Sequence, residues 1–173
     1  MSFGKYLKSV QLIEIGMKDV PIKKISCQYN DDRIHLYRQC IKNMHSDKPL
    51  SPYAMPHLNF LITAKVLGLQ RFSKDDWTIA RTSLYYKMHK LYGRDRKWIT
   101  GKMQKFINLF IDIGTYGIKE PIVLLNKPII KNIYNPNKYF EVWEGHHRLA
   151  IAAFSGATEV KAKICKWSSD EKL

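Results

Sequence analysis

Apolar residues recur at helical spacing through the middle of the chain and alternate with polar residues towards its C-terminal end. Helices are expected over residues 31–46, 57–67, 74–92 and 97–113. The third follows the capping sequence Ser73-Lys-Asp-Asp76, and Gly68, Gly93 and Gly114 lie where helices are expected to end. Three prolines between residues 47 and 56 indicate a loop.

Strands are expected on both sides of this helical part. The first covers residues 20–27, and later ones cover 118–125, 139–144 and 160–167, where alternation is clearest. A polar connection spans residues 126–138, a short helix spans 149–155, and residues 168–173 form a tail. The pattern predicts an α+β protein in which strands from both ends meet in one mixed sheet with packed helices.

The chain passes from a strand into a helix at Glu144-Gly-His-His-Arg148. We expect both histidines and Arg148 in the turn itself, with Leu149 as the first residue of the helical pattern. Such a turn offers free backbone N–H groups and the positive end of a helix dipole, where phosphate prefers to bind. The sequence therefore predicts an anion site at residues 145–148.

Size and composition favour one globular domain over residues 1–173, with 45% apolar and 25% charged residues. No apolar run reaches the roughly 18–20 residues of a membrane span, and residues 1–8 lack the apolar segment of a secretory signal. Cys27, Cys40 and Cys165 are scattered, which argues against a disulfide scaffold or zinc knuckle and fits a reducing compartment. We expect a cytoplasmic protein without membrane contact.

Positive charge is in large excess, with 29 Lys and Arg against 15 Asp and Glu and a net charge of +14. Eight cations concentrate where Asp95 is the only acid: Arg81, Lys87, Lys90, Arg94, Arg96, Lys97, Lys102 and Lys105. This density favours contact with nucleic acid phosphates, although a solvated basic helix face is the plainer alternative. Tyr85, Tyr86 and Trp98 are candidates either for base stacking or for core packing.

From Phe106 to Ile164 the chain resembles the domain family shared by the partition protein ParB, sulfiredoxin and the free serine kinases. The shared elements are a helix ending in glycine, the segment Gly117-Ile-Lys-Glu-Pro121-Ile-Val, a hairpin, Glu144 to Arg148, a small-residue helix and a last strand. Residues 20–26 resemble the family's first strand. Residues 28–98 depart from it as a large helical insertion.

The resemblance implies a nucleoside triphosphate, ATP or CTP, bound with Mg²⁺. Carried over by motif, the nucleotide-binding residues are Gly117, Pro121, Gly145, His146, His147 and Arg148. Arg148 supplies a bidentate fork for phosphate, His147 a donor that charges near neutral pH, and Glu144 a carboxylate for the metal. His146 stands where sulfiredoxin has its catalytic cysteine, so thiol chemistry is not expected.

These features lead to a nucleotide-binding, ParB-like protein that acts on or with DNA. Its expected activity is nucleotide hydrolysis or nuclease chemistry, with Glu144, His147 and Arg148 as the catalytic residues. Alternatives are a small-molecule kinase with a serine-like acceptor and a DNA-binding module without catalysis. DNA is the expected partner, with RNA and a homodimeric assembly left open. A purely structural turn, in which Arg148 caps a neighbouring strand, also remains open.

Overall fold

The computed structural model describes residues 11–27, 56–68, 72–126 and 140–168. The strands are β1 (Leu12–Pro21), β2 (Ile25–Ser26), β3 (Ile122–Asn126), β4 (Phe140–Glu144) and β5 (Glu159–Trp167). The helices are α1 (Pro56–Val66), α2 (Lys74–Ala80), α3 (Leu84–Leu91), α4 (Arg96–Tyr116) and α5 (His146–Phe154). A short 3₁₀ helix, Ile22–Lys24, joins β1 to β2. The expected α+β class is confirmed.

The five strands form one mixed sheet in the order β1-β5-β3-β4-β2. β1 pairs with β5 and β3 with β4 in antiparallel fashion, whereas β3 pairs with β5 and β2 with β4 in parallel. Along β5, buried Val160, Ala162 and Ile164 alternate with polar positions, as a strand with one covered face requires. Strands from both ends of the chain therefore meet in one sheet, as expected.

Helix α5 lies at the centre of the core. Four consecutive residues, Leu149 to Ala152, are buried, so this short helix is covered on all sides. It contacts α1, α4 and β3, and α1 in turn packs on α3. The side chains of Ala150 and Ala152 are small enough for neighbouring elements to approach closely. Helices and sheet consequently share one hydrophobic core.

The single helix expected over residues 74–92 is wrong, because the structure has two helices there. α2 begins at the predicted Ser73 capping box, but it ends at Ala80. Ser83 then starts α3: its hydroxyl accepts from the backbone N–H of Tyr86, and Asn59 Oδ1 accepts from that of Leu84 at 2.9 Å. These caps satisfy the orphan donors that a break in a helix creates.

Other boundaries also differ from the expectations. The first strand is Leu12–Pro21, and only Ile25–Ser26 of the expected 20–27 segment forms a strand after it. β3 begins at Ile122, since Gly117 to Pro121 form a loop. α4 is longer than expected and ends at the C-cap Gly117. The helices and strands expected over 57–67, 139–144 and 160–167 are confirmed within a residue or two.

Several expectations lie outside the described residues: the helix over 31–46, most of the loop over 47–56, most of the connection over 126–138 and the tail after Ser168. Among the helices that are described, none is long and apolar enough to span a membrane.

Replacing Ser83 by alanine should lower the free energy of unfolding by about 1 kcal/mol, because the N-cap of α3 loses its acceptor. Urea denaturation at neutral pH measures the change. Thr100→Ala is the matched control: that hydroxyl donates only to the helical carbonyls of Arg96 and Lys97 and serves no orphan donor. Equal stabilities for the Ser83→Ala variant and the wild type would contradict the capping role.

Candidate functional site

The start of α5 is built around Gly145. This residue has a left-handed backbone with φ of 95°, and an added Cβ would lie 3.3 Å from Arg148 Nε and 3.4 Å from Ile122 Cα. Glycine is required here by both the backbone angle and the space. The helix then begins at His146, so the expectation that the histidines and Arg148 lie in the turn is wrong. They form the first turn of α5, whose N-cap residue is Gly145.

Arg148 ties α5 to the loop that precedes β3. Its Nη1 donates to the backbone oxygens of Glu120 at 2.9 Å and Pro121 at 3.1 Å, and to Glu120 Oε2 at 3.0 Å. Its Nη2 lies 3.9 Å from Glu144 Oε1. Only 14% of this side chain is exposed. Its hydrogen bonds to the loop carbonyls therefore also stabilise the loop. The strand-capping role that the sequence left open is therefore present.

A cleft of about 370 Å³ lies beside Arg148, between the C-terminal end of α4 and the following loop. Gly117 and Arg148, both expected to bind nucleotide, line this cleft together. Asp112, Lys119 and Glu120 add charges to it. Its volume is within the range of small-molecule sites. The structure thus brings two separated sequence predictions to one concave surface.

His147 points to a different neighbourhood, a cluster of aromatic rings between α5 and the helices α1, α3 and α4. Its Nε2 lies 3.2 Å from the Tyr85 hydroxyl. Its ring centroid lies 4.4 Å from that of Phe106 and 4.7 Å from that of His57. His146 stacks on His57 at 6.2 Å. His147 and Arg148 are adjacent in sequence, yet they contact different partners.

The cluster holds His57 and His147 neutral. Burial, followed by the neighbouring His146, Lys102 and His89, lowers the pKa of His147 from 6.5 to about 4. Burial and the other histidines hold the pKa of His57 well below its usual range. Burial raises the pKa of Tyr85, so its hydroxyl keeps its proton and can donate to His147. The idea of His147 as a donor that charges near neutral pH does not fit this environment.

Glu144 is suited to a metal ion only if the ligand supplies most of the coordination. Its side chain is 71% exposed and Glu120 is 81% exposed, and both lie beside Arg148. Within the described residues, no group of three or more His, Cys, Asp or Glu side chains could hold a metal ion. Mg²⁺ in nucleotide sites commonly uses one or two carboxylates together with phosphate oxygens and water. Glu144 fits that limited role.

The cations of the middle segment form an exposed basic surface on α3, α4 and the turn between them. This basic surface consists of Lys87, Lys90, Arg94, Arg96, Lys97, Lys102 and Lys105, all exposed. Trp98 lies among them, 36% exposed, with Arg94 Cζ at 5.0 Å and Lys102 Nζ at 5.3 Å from its ring centroid. In the described part of the chain, the ion pairs involve Arg148 and Lys163 and none of these cations.

Two residues proposed for nucleic acid contact fit less well. Arg81 is half-buried, and its Nε is buried without a hydrogen-bond partner among the described residues. Tyr85 is 1% exposed and belongs to the core, so its candidacy for base stacking is wrong. Trp98 remains accessible.

Sequence reasoning missed His57, Phe106 and Glu120 as partners of the motif. His57 begins the apolar pattern of α1. A polar residue at a core position of a helix is unusual, and this could have indicated that His57 has a buried partner. Nothing in the sequence indicated Glu120, because its contact with Arg148 depends on how β3 and α5 pack.

Comparison with known proteins found no matching family model, no matching curated protein and no matching solved structure. The ParB/sulfiredoxin resemblance therefore stays a prediction.

Folding should become less favourable as the pH falls from about 6.5 to about 4, because unfolded His147 binds a proton more readily than folded His147. The stabilisation is complete above pH 6.5. This group contributes at most about 1.4 kcal/mol per pH unit. Urea denaturation across this range should give a smaller slope for His147→Gln than for the wild type. Equal slopes would show that His147 titrates normally in the folded protein.

Proposed function

We propose that this protein binds nucleic acid through the basic surface of α3 and α4. The supporting observation is the arrangement around Trp98, where an exposed indole lies between the cations Arg94 and Lys102. Phosphate contacts require exposed cations, and the basic surface supplies seven that form no ion pair with other described residues. An accessible aromatic ring among cations is typical of surfaces that contact both phosphates and bases or sugars.

Electrostatics accounts for the strength expected of such binding. Each cation that neutralises a phosphate releases a condensed counterion, so affinity falls steeply as salt rises. The net charge of +14 adds long-range attraction for a polyanion. Side chains at an exposed helix face otherwise contribute little to folding through ion pairs. The density of exposed positive charge is therefore explained better by an anionic partner than by stability.

Replacing Lys97, Lys102 and Lys105 by glutamine should weaken binding to a labelled DNA and flatten its salt dependence. The slope of log K against log salt should fall by about 0.9 for each lost phosphate contact. Fluorescence anisotropy over a range of salt concentrations measures both quantities.

The control replaces Lys18, Lys65 and Lys161 by glutamine and so removes the same charge. These three lysines are exposed outside the basic surface. If both triple variants lose affinity equally, net charge and not the basic surface is responsible. Weak, salt-insensitive binding by the wild type would overturn the proposal.

A second candidate function is nucleotide binding in the cleft beside Arg148. It is favoured by one observation, that Gly117 and Arg148 line the same concavity, with Arg148 in the first turn of α5. Backbone N–H groups at a helix start and a guanidinium together suit a phosphate. With such a ligand bound, Glu144 would supply a carboxylate to Mg²⁺, which would offset phosphate charge.

The carboxylate of Glu120 opposes this second function, because it occupies the same guanidinium. Phosphate would have to share or displace that contact. The backbone oxygens of Glu120 and Pro121 keep Arg148 in place whether or not the carboxylate is charged. This separation of roles makes Glu120 the informative residue to change.

Glu120→Gln should strengthen the binding of ATP or CTP with Mg²⁺ by about two- to fivefold, the range of an exposed ion pair. Thermal shift measures it, since a ligand at one hundred times its Kd adds about 2.7 kcal/mol of stability. Glu159→Gln removes an equal charge from an exposed position at the start of β5 and should leave nucleotide binding unchanged. If neither ATP nor CTP shifts the melting temperature of the wild type or of Glu120→Gln, this second function is excluded.

A further inference from the structure

Helix α3, the turn after it and helix α4 form a compact unit at the centre of the basic surface. α3 has eight residues, the turn covers residues 92–95, and α4 starts at Arg96. Gly93 in that turn has a φ of 73°, which glycine adopts without strain. Buried Met88 and Ile99 lie on the two helices, and the His89 and Trp98 rings meet at 5.3 Å. A helix, a short glycine-containing turn and a second helix follow one another in the same order as in the helix-turn-helix unit.

The exposed face of α4 carries a glycine where the fold does not require one. Gly101 is exposed within the helix, and an added Cβ would meet nothing within 4 Å. Glycine is among the poorest helix formers, so packing gives no reason for it there. Its neighbours one turn away on the same face are Lys97, Trp98 and Lys105. A glycine among cations leaves space for a partner to approach the helix backbone.

We propose that the first turns of α4 lie in the major groove of duplex DNA, with the groove wall passing over Gly101. This inference rests on the proposed nucleic-acid binding and names its substrate class. An α-helix with its side chains is about 10–12 Å across, which matches the major groove of B-form DNA at about 12 Å. The major groove of duplex RNA is too narrow to admit a helix.

In this placement the two sides of α4 have different roles. Met103, Phe106 and Ile107 anchor it in the core, so the helix is held rigidly. Lys97, Lys102 and Lys105 project from the other side, where phosphates border the groove. In helix-turn-helix proteins the first turns of the second helix contact base edges while the first helix crosses the DNA backbone. In this placement α3, with exposed Lys87 and Lys90, takes that position.

Gly101→Gln tests the close approach, with Gly114→Gln as the matched control. Both glycines are exposed in α4 with open space around a Cβ, but Gly114 lies beyond the basic surface. Glutamine favours helix more than glycine, so the urea midpoint should rise for both variants. Affinity for a labelled 24-base-pair DNA duplex should fall for Gly101→Gln only, by about tenfold, as poorly fitting base-pair contacts do.

The same titrations with the single strand and with an RNA duplex of equal sequence complete the experiment. The wild type should bind duplex DNA most tightly. Unchanged duplex affinity in Gly101→Gln, or equal losses in both variants, would overturn the groove placement. Tighter binding of single-stranded DNA or of duplex RNA would overturn it as well and leave nucleic-acid binding standing. If the wild type binds none of the three, the proposed function itself fails.

Discussion

The burial of α5 is the constraint on which the rest of this structure depends. Because Leu149 to Ala152 are covered on all sides, the polar residues at the helix start cannot all turn to water. Each must find partners in the protein or carry a desolvation penalty. His147 meets Tyr85 and the ring of His57, and Arg148 meets the carbonyls of the loop before β3. The motif thereby connects the sheet, the loop and the helices α1 and α3.

This constraint also separates two side chains that a motif treats as a pair. His147 faces the helices and is kept neutral by burial, whereas Arg148 faces the cleft and contacts carboxylate and carbonyl oxygens. An anion at the start of α5 would therefore meet the guanidinium and backbone N–H groups, with His147 behind them. Phosphate chemistry that needs a charged histidine does not follow from this arrangement, whereas electrostatic binding does.

The sequence was informative where structure is local. Alternation in β5 and the stripe of α1 mark their elements because burial repeats with the period of each element. The break between α2 and α3 was missed because Trp77, Ala80 and Leu84 keep helical spacing across it, and the cap depends on Asn59 from another helix. β1 was missed because it is an edge strand whose middle is exposed, so pairing with β5 and not alternation defines it. For the site, Gly117 and Arg148 could be predicted to share a surface, but the contacts of His147 could not.

Helix α4 connects the basic surface, the cluster around His147 and the cleft. Its 21 residues span about 31 Å, from the basic surface at Lys97 to the cleft at Gly117. Midway along it, Phe106 packs on His147 at the start of α5. The charge of Lys102, on the outer side of α4, also acts on His147, because it is among the groups that lower the pKa of that histidine. An anion bound at Lys102 would weaken that effect. Helix α4 therefore links the basic surface, the cluster of rings around His147 and the cleft, both through packing and through electrostatics.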